Sequence, residues 1–149
     1  MKKFRFSLDR MRDYREQLLE EEKNTLSRLN AARDQIQGRI EFLGREFARI
    51  SREMLREQAE GTQISKLRAY DTRLDSIRRQ QKQLRAELEQ AQRKVDAQMG
   101  VVLAASQEVS KLDKLEERQL EEYKKDAAKE EELFISELVS SDSIRKQIS

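Results

Sequence analysis

The consecutive carboxylates Glu130, Glu131 and Glu132 are of the residue type that general acid–base chemistry or a hard divalent cation would use. Their spacing works against both, because neighbouring positions on a helix point in different directions and cannot converge on one atom. Gly38 and Gly44 lack the Lys and Ser/Thr of a nucleotide-binding loop and lie within helical patterns. The chain has no His and no Cys, so the commonest general base and metal ligand is absent, as are a thiolate site and a disulfide framework. Catalysis also requires a concave, water-excluding pocket with titratable groups in mutual reach, which two helices do not build. The expectation is a protein that is not an enzyme, with no catalytic residue, no cofactor and no metal.

The remaining chemistry is recognition through apolar and aromatic contact. The opening FRFSLDRM interleaves Phe4, Phe6 and Leu8 with Arg5 and Ser7, and holds two of only five phenylalanines. Termini fray unless something ties them down, so these rings need a partner surface.

The elements that position them follow from composition and period. With 149 residues, 40% of them charged, a mean hydropathy of −0.95, no Trp, no Pro and four Gly, there is too little apolar side chain for a globular interior. Disorder is not indicated either, since 31 Lys and Arg nearly balance 29 Asp and Glu. Abundant Leu, Glu, Arg, Lys, Gln and Ala favour long helices. No continuous apolar run suits a signal peptide, and nowhere do about 18 consecutive apolar residues occur to span a bilayer. A soluble, cytoplasmic protein is expected.

A seam with spacings of three and four runs through Leu26, Leu29, Arg33, Ile36, Ile40, Leu43, Phe47, Ile50 and Met54. A second runs from Leu67 through Tyr70, Leu74, Ile77, Leu84, Leu88, Ala91, Val95, Val102, Ala105 and Val109 to Leu112, interrupted only by Gln81 and Gln98. Between them lies AEGTQISK, where Gly61 can supply a left-handed helix cap and Thr62 can start the next helix. A short turn makes the helices antiparallel neighbours. The fold class is therefore all-α, two long helices in an antiparallel coiled-coil hairpin, the second helix longer and overhanging. A single domain over 1–149 is expected, with helices at about 7–59 and 64–139, a turn at about 60–63 and a flexible tail over 140–149. Residues facing each other should have numbers summing to roughly 122, so that the first helix runs out near residue 115 of the second.

Within this hairpin Ser7 is the expected N-cap, and Phe6 can staple to Met11. Phe4 and Phe6 then fall where the second helix carries Leu115, Leu120 and Tyr123. They can seal the open end of the coil, dock a partner, or both. Leu120 and Phe134 lie on the overhang, with no intramolecular partner expected. Phe42, Leu55, Met99, Val101, Leu103 and Ile135 fall outside the seams and suit exposure. The wide apolar run over 99–106 is expected to pack on Leu18 and Leu19.

Residues 66–94 are basic on balance and 113–137 acidic. Such runs usually form solvated faces laced with pairs four residues apart, such as Asp75 with Arg79, Glu89 with Arg93 and Glu121 with Lys125. Nucleic-acid binding would need a basic face with few acids and aromatics for stacking, and the basic region offers only Tyr70, a seam position.

Three patches, in order and spacing, resemble the flagellar export protein FliJ family: Phe4-x-Phe6-x-Leu8-x-x-Met11, Gly61 followed by Tyr70-Asp71-x-x-Leu74, and Leu112-Asp-Lys-Leu-Glu-Glu-Arg-Gln with Tyr123 and Glu137. The resemblance implies a cytoplasmic component of the flagellar type III protein export apparatus, needed for flagellum biogenesis and motility. It implies an antiparallel coiled coil similar to the stalk subunit of rotary ATPases, engaging a hexameric export ATPase, the cytosolic domain of the export-gate membrane protein, and export chaperones. It further implies that Phe4, Phe6, Leu8, Leu115, Arg118, Leu120 and Tyr123 face the ATPase, and that Tyr70 is a gate-side contact. Membrane association would be peripheral, through the gate, without insertion. The alternatives are a generic coiled-coil adaptor or scaffold, an injectisome stalk, or a self-associating bundle in which two overhangs pair.

Overall fold

With no proline to remove a backbone donor, both helical patterns can run unbroken. The computed structural model, which describes residues 2–148, consists of helix α1 (Asp9–Glu60, 52 residues) and helix α2 (Ile64–Ile148, 85 residues), with no strand among the described residues. They form an all-α antiparallel hairpin. Gly61 makes the reversal: its φ of 85° is one that side-chain-bearing residues avoid, and its N–H closes on the carbonyl of Gln58 at 3.4 Å. The next helix is started not by Thr62 but by Gln63, whose carbonyl accepts from the N–H groups of Lys66 and Leu67 at 3.1 and 3.4 Å. The turn thus comprises Gly61, Thr62 and Gln63, and its midpoint is Thr62. This displaces the facing pairs by a few residues from the expected register, so that Arg33 meets Gln92 at 3.3 Å.

Two compact units divide the hairpin. The one that contains the turn, Glu21–Leu103, carries the core cluster of Leu43, Ile50 and Ile77, with Phe47, Tyr70, Leu74 and Leu84 packed against it. Ile50 and Val95 are almost fully enclosed, at 2% and 1% exposure. Every residue named above for the two seams is buried or half-buried, the polar ones included. Two of those polar members are partnered across the helices: Arg33 donates to Gln92, and Gln98 donates to the backbone carbonyl of Glu22 at 3.1 Å and to its carboxylate. On the surface Arg49 is held between Glu46 at 2.8 Å and Glu53 at 3.0 Å. Its hydrogen bond lowers the Glu46 pKa below the ordinary carboxylate value. The expected Glu89–Arg93 pair forms at 3.0 Å, whereas no ion pair joins Asp75 to Arg79 or Glu121 to Lys125 among the described residues.

Apolar residues outside the seams behave as the period predicts: Phe42, Leu55, Met99, Val101, Leu103 and Ile135 are all exposed. The expected burial of the 99–106 run is therefore corrected, since only Val102 and Ala105 of its apolar seam positions turn inward. A two-helix seam encloses two positions in seven, and the extra apolar width has nothing to lie against.

The other unit comprises Met1–Glu20 and Ala104–Ser149. Here α1 begins at Asp9, and its first helical bond runs from the Arg12 N–H to the Leu8 carbonyl at 2.9 Å, so Leu8 and not Ser7 occupies the cap. Met11 is 48% exposed, whereas Phe6 is buried, so the expected staple gives way to a different cover for that ring. At the far end, helix continues through Ile148 where a flexible tail over 140–149 was expected; Ser149 lies outside the described residues. No Gly or Pro follows Val139, and Arg145 and Lys146 in the last turn complement the negative end of the helix dipole. No helix among the described residues is long and apolar enough to cross a membrane.

Candidate functional site

Residues 2–6 precede α1 without regular structure, and residues 7–8 form a turn into the helix. This arm lies against α2. The Phe4 ring meets the Tyr123 ring at a centroid distance of 5.5 Å and a tilt of 54°, a favourable edge-inclined geometry. The Tyr123 hydroxyl donates to the backbone carbonyl of Lys2 at 2.6 Å, and the Ser7 hydroxyl donates to Gln119 Oε1 at 3.4 Å. The arm is thus pinned at both ends against α2.

Phe6 is 8% exposed, and the Arg12 guanidinium lies 5.3 Å from its ring centroid. Arg12 also pairs with Asp9 at 2.7 Å, with Asp113 at 3.8 Å, and with the carboxylate of Glu116. One cation therefore covers the buried ring and joins the start of α1 to the acidic stretch of α2. An open hollow beside it is lined by Phe4, Arg5, Phe6, Arg10, Arg12 and Glu116.

Of the seven residues expected to face a partner, Phe4, Leu8, Leu115, Leu120 and Tyr123 are half-buried, Phe6 is buried and Arg118 is exposed. All lie in the same unit. The expectation that Leu120 stands uncovered is corrected, because the arm carries cover as far as Tyr123; Phe134 is exposed as expected. Arg12 was not singled out from sequence, and Gln119 entered only as the last residue of the patch that begins at Leu112. Arg12 had one available signal, its place three residues after Asp9 on the first helical turn, opposite an acidic run.

Tyr70 belongs to the unit that contains the turn. Its hydroxyl donates to Glu57 Oε1 at 3.0 Å, while Glu57 Oε2 is buried without a hydrogen-bond partner. The hydrogen bond to Glu57 raises the Tyr70 pKa above the ordinary phenol value, assisted by desolvation and by the charge of Glu57. The stabilising bond is present below the ordinary tyrosine pKa and is lost as pH rises through the raised folded value. Glu57→Gln should bring one of the chain's three tyrosines to titrate at lower pH, read as tyrosinate absorbance, and Tyr70→Phe should remove that component. An unchanged titration in Glu57→Gln would contradict this assignment.

Among the described residues no group of three His, Cys, Asp or Glu is placed to hold a metal. What the site offers is a surface of aromatic, apolar and charged side chains. No curated protein and no solved structure matches the chain. The family model of the flagellar FliJ protein matches residues 4–147, nearly the full length of two helices and the arm before them, and by that match the chain belongs to the FliJ family and serves flagellar protein export.

Proposed function

We propose that the protein acts as a non-enzymatic, stalk-like component of the flagellar type III export apparatus. Phe4, Phe6, Leu8, Leu115, Arg118, Leu120 and Tyr123 form the end that engages a hexameric export ATPase. The chain links that ATPase to the cytosolic domain of the export gate, with Tyr70 on the gate side, and to export chaperones. It resides in the cytoplasm, held at the inner face of the membrane only through the apparatus.

The observation that carries this reading is the arm pinned on α2 by the Phe4–Tyr123 ring contact and the Tyr123–Lys2 hydrogen bond. It presents an ordered aromatic end where chain termini ordinarily fray. The mechanism is physical: a helical pair seated in a ring of subunits biases them toward different states, provided that it binds those states unequally.

The test is ATP hydrolysis by a purified hexameric flagellar export ATPase with and without this chain, alongside a pull-down of the two. Stimulated hydrolysis and co-recovery are expected. Hydrolysis unaffected by saturating chain would remove the ATPase from the list of partners.

A further inference from the structure

Beyond Ala127 every residue of α2 through Gln147 is exposed. Phe134, Leu138, Val139 and Ile144 are each more than half accessible, an apolar extent on a bare helix that ordinarily marks a contact. The same segment is ordered in charge. Glu130, Glu131, Glu132 and Glu137 outnumber Lys129 in its first half, whereas Arg145 and Lys146 outnumber Asp142 in its second.

That order discriminates between occupants. An anionic lipid surface calls for a helix rich in Lys and Arg on its polar face, and this one carries five carboxylates against three cations. A parallel second copy would set acids beside acids and bases beside bases. An antiparallel second copy, related by a two-fold axis near Leu138, sets the Glu130–Glu132 stretch of each chain beside Arg145 and Lys146 of the other. It also brings the two Leu138 side chains against each other and Phe134 of each chain near Ser141 of the other. By symmetry each favourable charge contact occurs twice, and such flanking charges are what select orientation in helix pairs.

We infer that residues 128–147 form an antiparallel pairing surface for a second copy of this chain. The inference is independent of the proposed ATPase contact, which uses residues at 4–8 and 115–123. Pairing covers the only long apolar stretch among the described residues of α2 that has no part of α1 against it.

The test uses the full chain in light scattering across a micromolar to submillimolar series. A dimer fraction that rises with concentration is expected. Leu138→Glu should weaken pairing by about a hundredfold, and the combined Arg145→Glu and Lys146→Glu changes by about tenfold. Adding Glu131→Lys and Glu132→Lys to that second variant should return the affinity to within about threefold of the original, since like charges would again face opposite ones. Because the chain has no cysteine, Leu138→Cys should give a disulfide-linked dimer under mild oxidation. Circular dichroism should show full helicity in every variant, as the altered side chains are exposed. The inference is overturned by a monomer throughout the series, by a dimer insensitive to Leu138→Glu, by failure of the charge exchange to restore pairing, or by monomeric chain that binds anionic vesicles through this segment.

Discussion

Ile50→Asp should unfold the unit Glu21–Leu103 under conditions in which the original chain is fully helical. Ile50 is 2% exposed and lies in one cluster with Leu43 and Ile77, so the substituted carboxylate has neither water nor a cation to replace its solvation shell. Loss of the apolar side chain costs about 2–5 kcal/mol on the scale of large-to-small core substitutions, and burial of an unpaired charge adds to it. Small domains are stable by only about 5–15 kcal/mol, so the sum approaches the whole. Ile50→Val, which removes one methylene, should cost about 0.5–1.5 kcal/mol. Phe42→Asp and Leu55→Asp should stay within about 0.5 kcal/mol, although they too exchange a large apolar side chain for a carboxylate, because Phe42 and Leu55 are already 52% and 65% exposed. Urea unfolding followed by circular dichroism measures all four. Equal midpoints for Ile50→Asp and Phe42→Asp would show that the seam does not hold this unit together.

That contrast rests on a feature the amino-acid order already carries. Alternating spacings of three and four name which residues turn inward, and Leu43, Ile50, Ile77 and Val95 are buried while Phe42 and Leu55 are not. The period is legible because two helices have only one way to hide an apolar stripe, against each other. Gly61 is legible for a related reason, since a positive φ selects for a residue without a side chain. The ends were harder to read. Ser7 has the chemistry of a cap, yet its hydroxyl is turned to Gln119, a residue 112 positions away whose proximity no local pattern announces. Likewise, the helical run through Ile148 depends on the mere absence of a breaker, which is a weaker signal than a cap.

The aromatic end shows both sides of this. The presence of Phe4 and Phe6 pointed to a surface that receives them, and Tyr123 is at that surface, as expected from the antiparallel arrangement. How the arm lies was not legible, because residues 2–8 follow no helical period that would fix which side chains turn toward α2. Arg12 was missed because its importance comes from simultaneous contact with Phe6, Asp113 and Glu116, which only the folded unit assembles. Membership in the FliJ family places the chain in flagellar protein export.

The double variant Phe4→Ala, Tyr123→Ala should raise the chain concentration needed for half-maximal stimulation of the export ATPase by about tenfold or more. Tilted aromatic pairs contribute about 0.5–1.5 kcal/mol beyond area burial, and a hydrogen bond such as that from Tyr123 to the Lys2 carbonyl about 0.5–1.5 kcal/mol more, so losing both frees the arm. A frayed arm must be ordered again on binding, which lowers affinity by the same free energy, and about 1.4 kcal/mol is a factor of ten. Helicity should change little, since both helices remain intact outside residues 2–8. Two explanations of the arm then separate. If it only seals the end of the hairpin, the double variant will lose amide protection over residues 2–8 yet stimulate hydrolysis as before. If it docks, protection and stimulation fall together. Arg118→Glu provides the complementary probe, because Arg118 is exposed and contributes nothing to holding the arm. It should leave amide protection unchanged and still weaken stimulation, by about tenfold where the reversed charge meets a desolvated partner. Stimulation unaltered in both variants would mean that the ATPase is engaged elsewhere on the chain.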